Sequence, residues 1–398
     1  MIFSLLDTDF YKLTLMQLIW QQFPQASAQY TFQCRNPQIK LGFIVPLLSE
    51  HVHDFLRLTF QKEEIQYLRT LQIFTESFLQ HLETFTFSST KISLLEIDDR
   101  LALSIEGSWA ESTLLEVPLL AMINQLYYEK SLPSHIDPLS EARKRLEEKV
   151  HFLHKQSAPI YFIDFGTRRR FTHLWHMEID QTLQKEVPSL FLGTSNLYSA
   201  WQHNLAPKGT MAHELFQAAQ VLAPTQSDFQ PFTLQLWKKI FPTTPAFALT
   251  DTLGVQAFLY DFSSELAQQY DGVRHDSGSP FVFFDLMLQH YEQLGIDAKQ
   301  KTLLFSDHIT FPLAAKITTY ARKRARVAFG IGTHLTNDTG HAPLEIVIKL
   351  TKLNHQPVAK LSDSPEKEIC PDQGFLEKIR GIKEEKEREY RRLKSDQS

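Results

Sequence analysis

The sequence predicts an α/β protein whose principal part is an irregular, barrel-like arrangement of parallel strands with crossover helices. Three observations carry that prediction. From residue 160 to about 334, seven short apolar β-type runs recur: YFIDFGT, SLFLGTSN, KGTMAHE, AFALTDT, GVRHDSG, TLLFSD and RVAFGIGT. Most are separated by amphipathic helical stretches, the signature of strand–helix–strand units. In each unit the polar residues follow the apolar run, so they are expected at the carboxyl ends of the strands, where barrel enzymes build active sites.

Taken in order, residues 10–23 place apolar side chains at 10, 13, 16, 19, 20 and 23, a helical period. Residues 29–35 (QYTFQCR) and 91–97 (KISLLEI) read as strands, and 139–154 as a surface helix. Helices are then expected over 171–185, 255–270 and 281–294. Beyond 340, LEIVIKLTKL and QPVAKLS read as strands, the latter followed by DSPEK. Residues 379–398 read as a solvated or frayed tail helix, with Glu384–Arg388 and Glu387–Arg391 spaced i,i+4.

Composition narrows the function classes. Only 14 of 398 residues are glycine, half or so of the usual share of about 7 %. Eight of them, at 166, 193, 209, 254, 272, 278, 330 and 332, fall inside the polar motifs. Glycine serves where the backbone needs positive φ or close approach to a ligand. A net charge of −5 offers no electrostatic case for nucleic acid. Cys34 and Cys370 make no disulfide framework and have no metal-type spacing. No apolar run approaches the ~20 residues of a membrane span, and the acidic start MIFSLLDTDFYK is unlike a secretory signal. A cytoplasmic protein is expected.

Several motifs can carry chemistry. In FGIGTHLTND, Gly330 and Gly332 free backbone N–H groups to face an anion and Thr333 adds a hydroxyl, the makings of a phosphate cradle or of an ordinary turn. DFGTRRR sets Arg168, Arg169 and Arg170 after a strand; Arg168 follows the turn most directly and suits a carboxylate or phosphate, while Arg169 or Arg170 fits a solvated face. In GVRHDSGSP, Arg274 and Asp276 alternate onto one side, as a ligand-binding pair or a structural ion pair. His213 in KGTMAHE can be a base, a nucleophile or a core group. Asp251 and Asp307 are further strand-end carboxylates for metal or hydroxyl contacts. CxxC, HExxH, GxSxG and GxxxxGK[ST] motifs are absent from the sequence.

The order DTDFYK, DFGTRRR, GTSN, GTMAHE, LTDT, GVRHDSG, FSD, FGIGTHLTND, with the tail LEIVIKL…PVAKLSDSPEK, closely resembles the nicotinate phosphoribosyltransferase family over nearly the whole chain. The resemblance implies a type II phosphoribosyltransferase fold. It has an α/β domain from residues 1–135 joined by returning strands and a tail helix at 340–398, and a barrel-like catalytic domain at 136–339. It implies synthesis of nicotinate mononucleotide and diphosphate from nicotinate and phosphoribosyl diphosphate. That reaction is coupled to ATP hydrolysis as in a ligase, with Mg2+, in NAD salvage. His213 would be phosphorylated by ATP. Phe165 and Arg168 would receive the pyridine ring and its carboxylate, and Tyr11 from the neighbouring subunit of a homodimer would cover the other face. Arg274, Asp276 and Gly278 would hold ribose and diphosphate; Gly330, Gly332 and Thr333 the 5′-phosphate. Ser195 stands where nicotinamide-using relatives carry an aspartate, and favours the acid. The sequence departs from the family pattern at Ser279 (DSGSP for DSGDP) and at His308, Ile309 and Thr310 in FSDHIT. Two acids are thereby lost near the expected diphosphate or metal site. The alternative these losses leave is a degenerate relative that binds nucleotides in a regulatory role.

Overall fold

The computed structural model describes residues 1–133, 137–361 and 370–395. The chain divides into two compact units. The first comprises Met1–Gly209, His308–Phe311 and Gly330–Lys349; the second comprises Thr210–Asp307, Pro312–Phe329 and Leu350–Ser398.

The first unit opens with the expected helix, Phe10–Gln22. It is buried on nearly every side, Lys12 included, whose ammonium is neutralised by Glu116 at 2.6 Å. Glu116 begins a second buried helix, Glu116–Ser131. β1 (Ser27–Cys34) and β2 (Thr90–Ile97) follow the sequence reading, and β3 (Arg100–Ser108), which that reading did not single out, pairs antiparallel with both. β2 and β3 form a hairpin closed by Asp98 and Asp99, both at positive φ (51° and 60°), the tight turn whose twist matches paired strands. The helix Pro138–His154 starts with Asp137 capping Leu139 N and a proline in its first turn. Two short parallel strands, β4 (Phe162–Asp164) and β5 (Phe191–Thr194), flank the helix His173–Glu186.

The second unit carries a parallel ladder: β6 (Phe247–Leu249), β7 (Gly272–His275), β8 (Thr302–Phe305) and the first residues of β9 (Arg326–Ile331). Val273, Leu303 and Phe329 are fully buried, as strands covered on both faces require. Each strand hands its chain to polar residues at its carboxyl end: Thr250 and Asp251 after β6, Asp276 after β7, Ser306 and Asp307 after β8. β10 (Ile346–Leu353) pairs at its end with a very short β11 (Gln356–Pro357).

The structure corrects several expectations. KGTMAHE is not a strand: Pro207 and Gly209 interrupt the backbone, and the segment leads as loop into the helix His213–Leu222. Residues 255–270 form two helices, Val255–Asp261 and Ser264–Gln269, because Ser263 caps the second through Leu266 N. QPVAKLS is extended over only two residues, and DSPEK lies outside the described residues. The tail helix runs Gln373–Ser395 and is docked: Ile379 is fully buried, and Lys386 donates to both carboxylate oxygens of Asp261 at 2.5 Å.

Candidate active site

In the first unit the DFGTRRR turn leaves β4 at Asp164. Its Oδ1 accepts from Gly166 N (2.8 Å), and Oδ2 accepts from Thr194 Oγ1 and His176 Nε2 (both 2.6 Å). Phe165 N donates to Ile331 O (2.9 Å), and its ring lies against Gly330 so closely that a Cβ there would collide with it. Gly330 is therefore needed for close approach. Gly332 caps the short helix Thr333–Thr336, with Thr333 at its first position.

Arg168 sits in the one-turn helix Thr167–Arg169, a third exposed, with Nη1 3.9 Å from Glu116 Oε1. Of the two arginines offered for a solvated face, Arg170 is not the one: it is 1 % exposed and donates twice to Asp7 at 2.6 Å, while Arg169 is half-buried. Burying a guanidinium requires such a fork-to-carboxylate match. Burial opposes ionisation of Asp7, but Arg170 and His173 hold its carboxyl well below the usual range.

Ser195 is buried and its hydroxyl donates to Asp9 Oδ1 (2.7 Å), while its carbonyl accepts from Phe10 N (2.6 Å). Ser195 thus holds the DTDFYK segment in place, and burial raises the Asp9 pKa. Tyr11 follows two residues later, its pKa raised first by burial and then by Glu116.

In the second unit six groups gather around Asp276, directly or through a neighbour. Arg274 donates through Nε to Ser306 Oγ (2.7 Å), through Nη1 to Thr210 Oγ1 (2.8 Å) and through Nη2 to Asp276 Oδ1 (3.1 Å). Ser306 donates to the same Asp276 oxygen at 2.7 Å. His213, at the first position of the helix His213–Leu222, has Nε2 2.5 Å from Asp251 Oδ1 and 3.8 Å from Asp276 Oδ2. Asp251 Oδ2 lies 3.0 Å from the buried Lys360 ammonium. Burial opposes the charge on Asp251 and Asp276, yet neighbouring groups keep both acids low: His213 and Lys360 for the first, Arg274 foremost for the second. Burial lowers the His213 pKa; Asp251 opposes this and Lys360 reinforces it.

Gly278 adopts φ 81°, a conformation that favours glycine, and Ser279 is the N-cap of the helix Pro280–Gln293. His308 is exposed at φ 48°, so the loop after β8 places an imidazole where the backbone favours glycine or asparagine. Asp307 is half-buried before it.

Sequence reasoning missed Lys360, Ser306 and Thr210 as members of the Asp276 cluster, and Asp9 as the partner of Ser195. Each lies inside a quoted motif, but only side-chain geometry distinguishes it from its neighbours.

A magnesium ion takes oxygen ligands and usually keeps phosphate and water partners. Ligand atoms of His213, Asp251 and Asp276 lie within 4.8 Å of one another. Lys360 and Arg274 already balance these two acids. The set therefore fits a magnesium ion held mainly by substrate phosphates, not one enclosed by protein ligands alone. This arrangement in the second unit suits binding of highly charged phosphate groups beside an imidazole held by a carboxylate.

Residues 160–384 match the nicotinate phosphoribosyltransferase (NAPRTase) family, and residues 6–124 match that family's N-terminal domain. Nicotinate phosphoribosyltransferase of Bordetella petrii is 41 % identical over 95 % of this chain and 97 % of its own. That of Ralstonia nicotianae is 40 % identical over 95 % and 98 %. Among solved structures, nicotinate phosphoribosyltransferase from Vibrio cholerae superposes with a TM-score of 0.88 at 35 % identity, covering 96 % of this chain and 94 % of that one. The enzyme from Porphyromonas gingivalis gives 0.88 at 28 % identity, covering 96 % and 100 %.

Proposed function

The chain belongs to the nicotinate phosphoribosyltransferase family, and we propose that it couples nicotinate mononucleotide synthesis to ATP through phosphorylation of His213. The carrying observation is the Lys360–Asp251–His213 chain beside the Arg274–Asp276 pair.

Displacing diphosphate from ribose C1 builds positive charge on the sugar and negative charge on the leaving group. Such a site needs fixed cations and phosphate-binding backbone more than a strong base. Arg274, oriented by Ser306, Thr210 and Asp276, supplies the fixed cation for the diphosphate. Magnesium bound with the diphosphate would neutralise leaving-group charge, with Asp251 and Asp276, and Asp307 as a further strand-end carboxylate, as the residues to hold it. Gly330, Gly332 and Thr333 are assigned the 5′-phosphate, and Phe165 and Arg168 the pyridine ring and its carboxylate.

The engagement of His213 Nε2 by Asp251 supports Nδ1 as the nucleophile. The Nδ1 lone pair attacks the γ-phosphorus of ATP, the P–O bond to ADP breaks, and the proton stays on Nε2 against Asp251. The helix N-terminus at His213 favours the added negative charge. Transfer of that phosphoryl group to water returns the imidazole. Tyr11 is assigned to the nicotinate ring of a neighbouring subunit, which makes a homodimer the working unit. A cytoplasmic location is part of this proposal; among the described residues no helix is long and apolar enough to cross a membrane.

Incubation with ATP, Mg2+, phosphoribosyl diphosphate and either nicotinate or nicotinamide tests the assignment. Nicotinate mononucleotide with ADP is expected, and product from neither base refutes it. The variant His213→Ala should still turn over but without ATP consumption; intact coupling in that variant rules out the phosphohistidine.

A further inference from the structure

The buried groups behind the DFGTRRR turn take no part in the chemistry above, yet they hold both of its ends. At one end Asp164 receives Gly166 N, Thr194 Oγ1 and His176 Nε2, and its own carbonyl accepts from Ser195 N (2.8 Å). At the other end Arg170 grips Asp7 with two bonds of 2.6 Å, and its carbonyl accepts from Asn124 Nδ2 (2.6 Å). Between these anchors stands one imidazole. His176 Nε2 bonds Asp164, its Nδ1 lies 3.5 Å from Arg170 Nη1, and Asp180 Oδ2 lies 3.7 Å from Nε2. Asp180 is itself held by Ser199 Oγ at 2.5 Å. His176, Asp164 and Asp180 are fully buried.

We propose that His176, braced by Asp180, is the positioning residue that sets the 164–170 turn and thereby presents Phe165 and Arg168 to the pyridine carboxylate. The inference rests on the reading that these two residues receive nicotinate. A rigid planar ring between two anchors transmits the position of one to the other, which a flexible side chain would not do. In a low-dielectric interior a carboxylate deprived of one donor is strongly penalised, and the turn it organises shifts to compensate. A metal at this trio would sit beside the Arg170 guanidinium and displace hydroxyl donors from Thr194 and Ser199, so the hydrogen-bonded reading is preferred.

The test compares full-length Arg168→Ala, His176→Leu and His176→Gln by initial rates in each substrate and by thermal unfolding. Loss of the Asp164 bond in His176→Leu should raise the nicotinate KM about tenfold, the scale of one buried hydrogen bond to a charged group. The KM for phosphoribosyl diphosphate should stay within about twofold, a split that general unfolding would not produce. His176→Gln, which keeps a donor near the Nε2 position, should recover most of the loss. If Arg168→Ala leaves the nicotinate KM unchanged, the assignment of the nicotinate site is wrong. If Arg168→Ala raises it and folded His176→Leu does not, or His176→Leu shifts both KM values equally, the positioning role is overturned. Should His176→Leu not fold, Asp180→Asn carries the comparison: a rise confined to nicotinate supports the role, and no rise overturns it.

Discussion

At the scale of single residues, Ser195 and His308 are the positions where chemistry and backbone meet. Ser195 donates to the buried Asp9 at 2.7 Å. An aspartate in its place would face Asp9 as a second carboxylate with no donor between them, close to the turn that carries Arg168. Ser195→Asp is expected to raise the nicotinate KM by more than about tenfold, read from initial rates; an unchanged KM would sink the role of Ser195 in choosing the acid. At His308 the left-handed conformation costs an L-residue about 1–2 kcal/mol, offset by the greater unfolded-state freedom of glycine. His308→Gly should therefore alter stability by less than about 1 kcal/mol while lowering the KM for phosphoribosyl diphosphate. A raised KM would show that the imidazole assists binding. The glycine scarcity was informative at this scale: Gly330, which makes room for the Phe165 ring, and Gly278, at φ 81°, both lie in motifs singled out by their glycines.

At the scale of elements, periodicity located the helices well because an amphipathic face repeats in the sequence itself. It failed where a local cap or a distant partner decides. Ser263 splits what reads as one helix, and the charge-dense tail reads as solvated although Lys386 is buried against Asp261. Alternating charges look alike whether they meet water or one complementary acid on another helix. Lys386→Met keeps the stem but removes the donor, leaving the buried Asp261 carboxyl with Gln230 as its side-chain partner. A loss of about 1–3 kcal/mol is expected, measured by urea unfolding, and a change below ~0.5 kcal/mol would mark the tail as merely resting on the surface.

For the molecule as a whole, the pH dependence of stability is shaped by buried acids whose pKa values move in opposite directions. Asp7, Asp251 and Asp276 are held below the usual carboxylate range, so their contribution is full above about pH 4 and fades as acid protonates them in the folded state. Asp180 runs the other way: burial, then the neighbouring Asp164 charge, raises it to about 7. Between about pH 4 and its folded value the native state holds the extra proton, so its contribution falls as pH rises. The stability of Asp180→Asn relative to the parent should accordingly increase from pH 4.5 to 7.5 or so in urea titrations; a constant difference would refute this. The sequence by itself determined the α/β class, the family, and the turns that carry Arg168, Arg274 and Asp276. Local patterns of apolar run, glycine and charge are written in chain order, and the family motifs preserve that order. Tertiary structure alone decided that Arg170 is buried on Asp7, that Lys360 completes the Asp251–His213 pair, and that His176 stands between the anchors of one turn. Those outcomes depend on which charges, distant in sequence, are brought together out of water, where each must find a partner or not ionise at all.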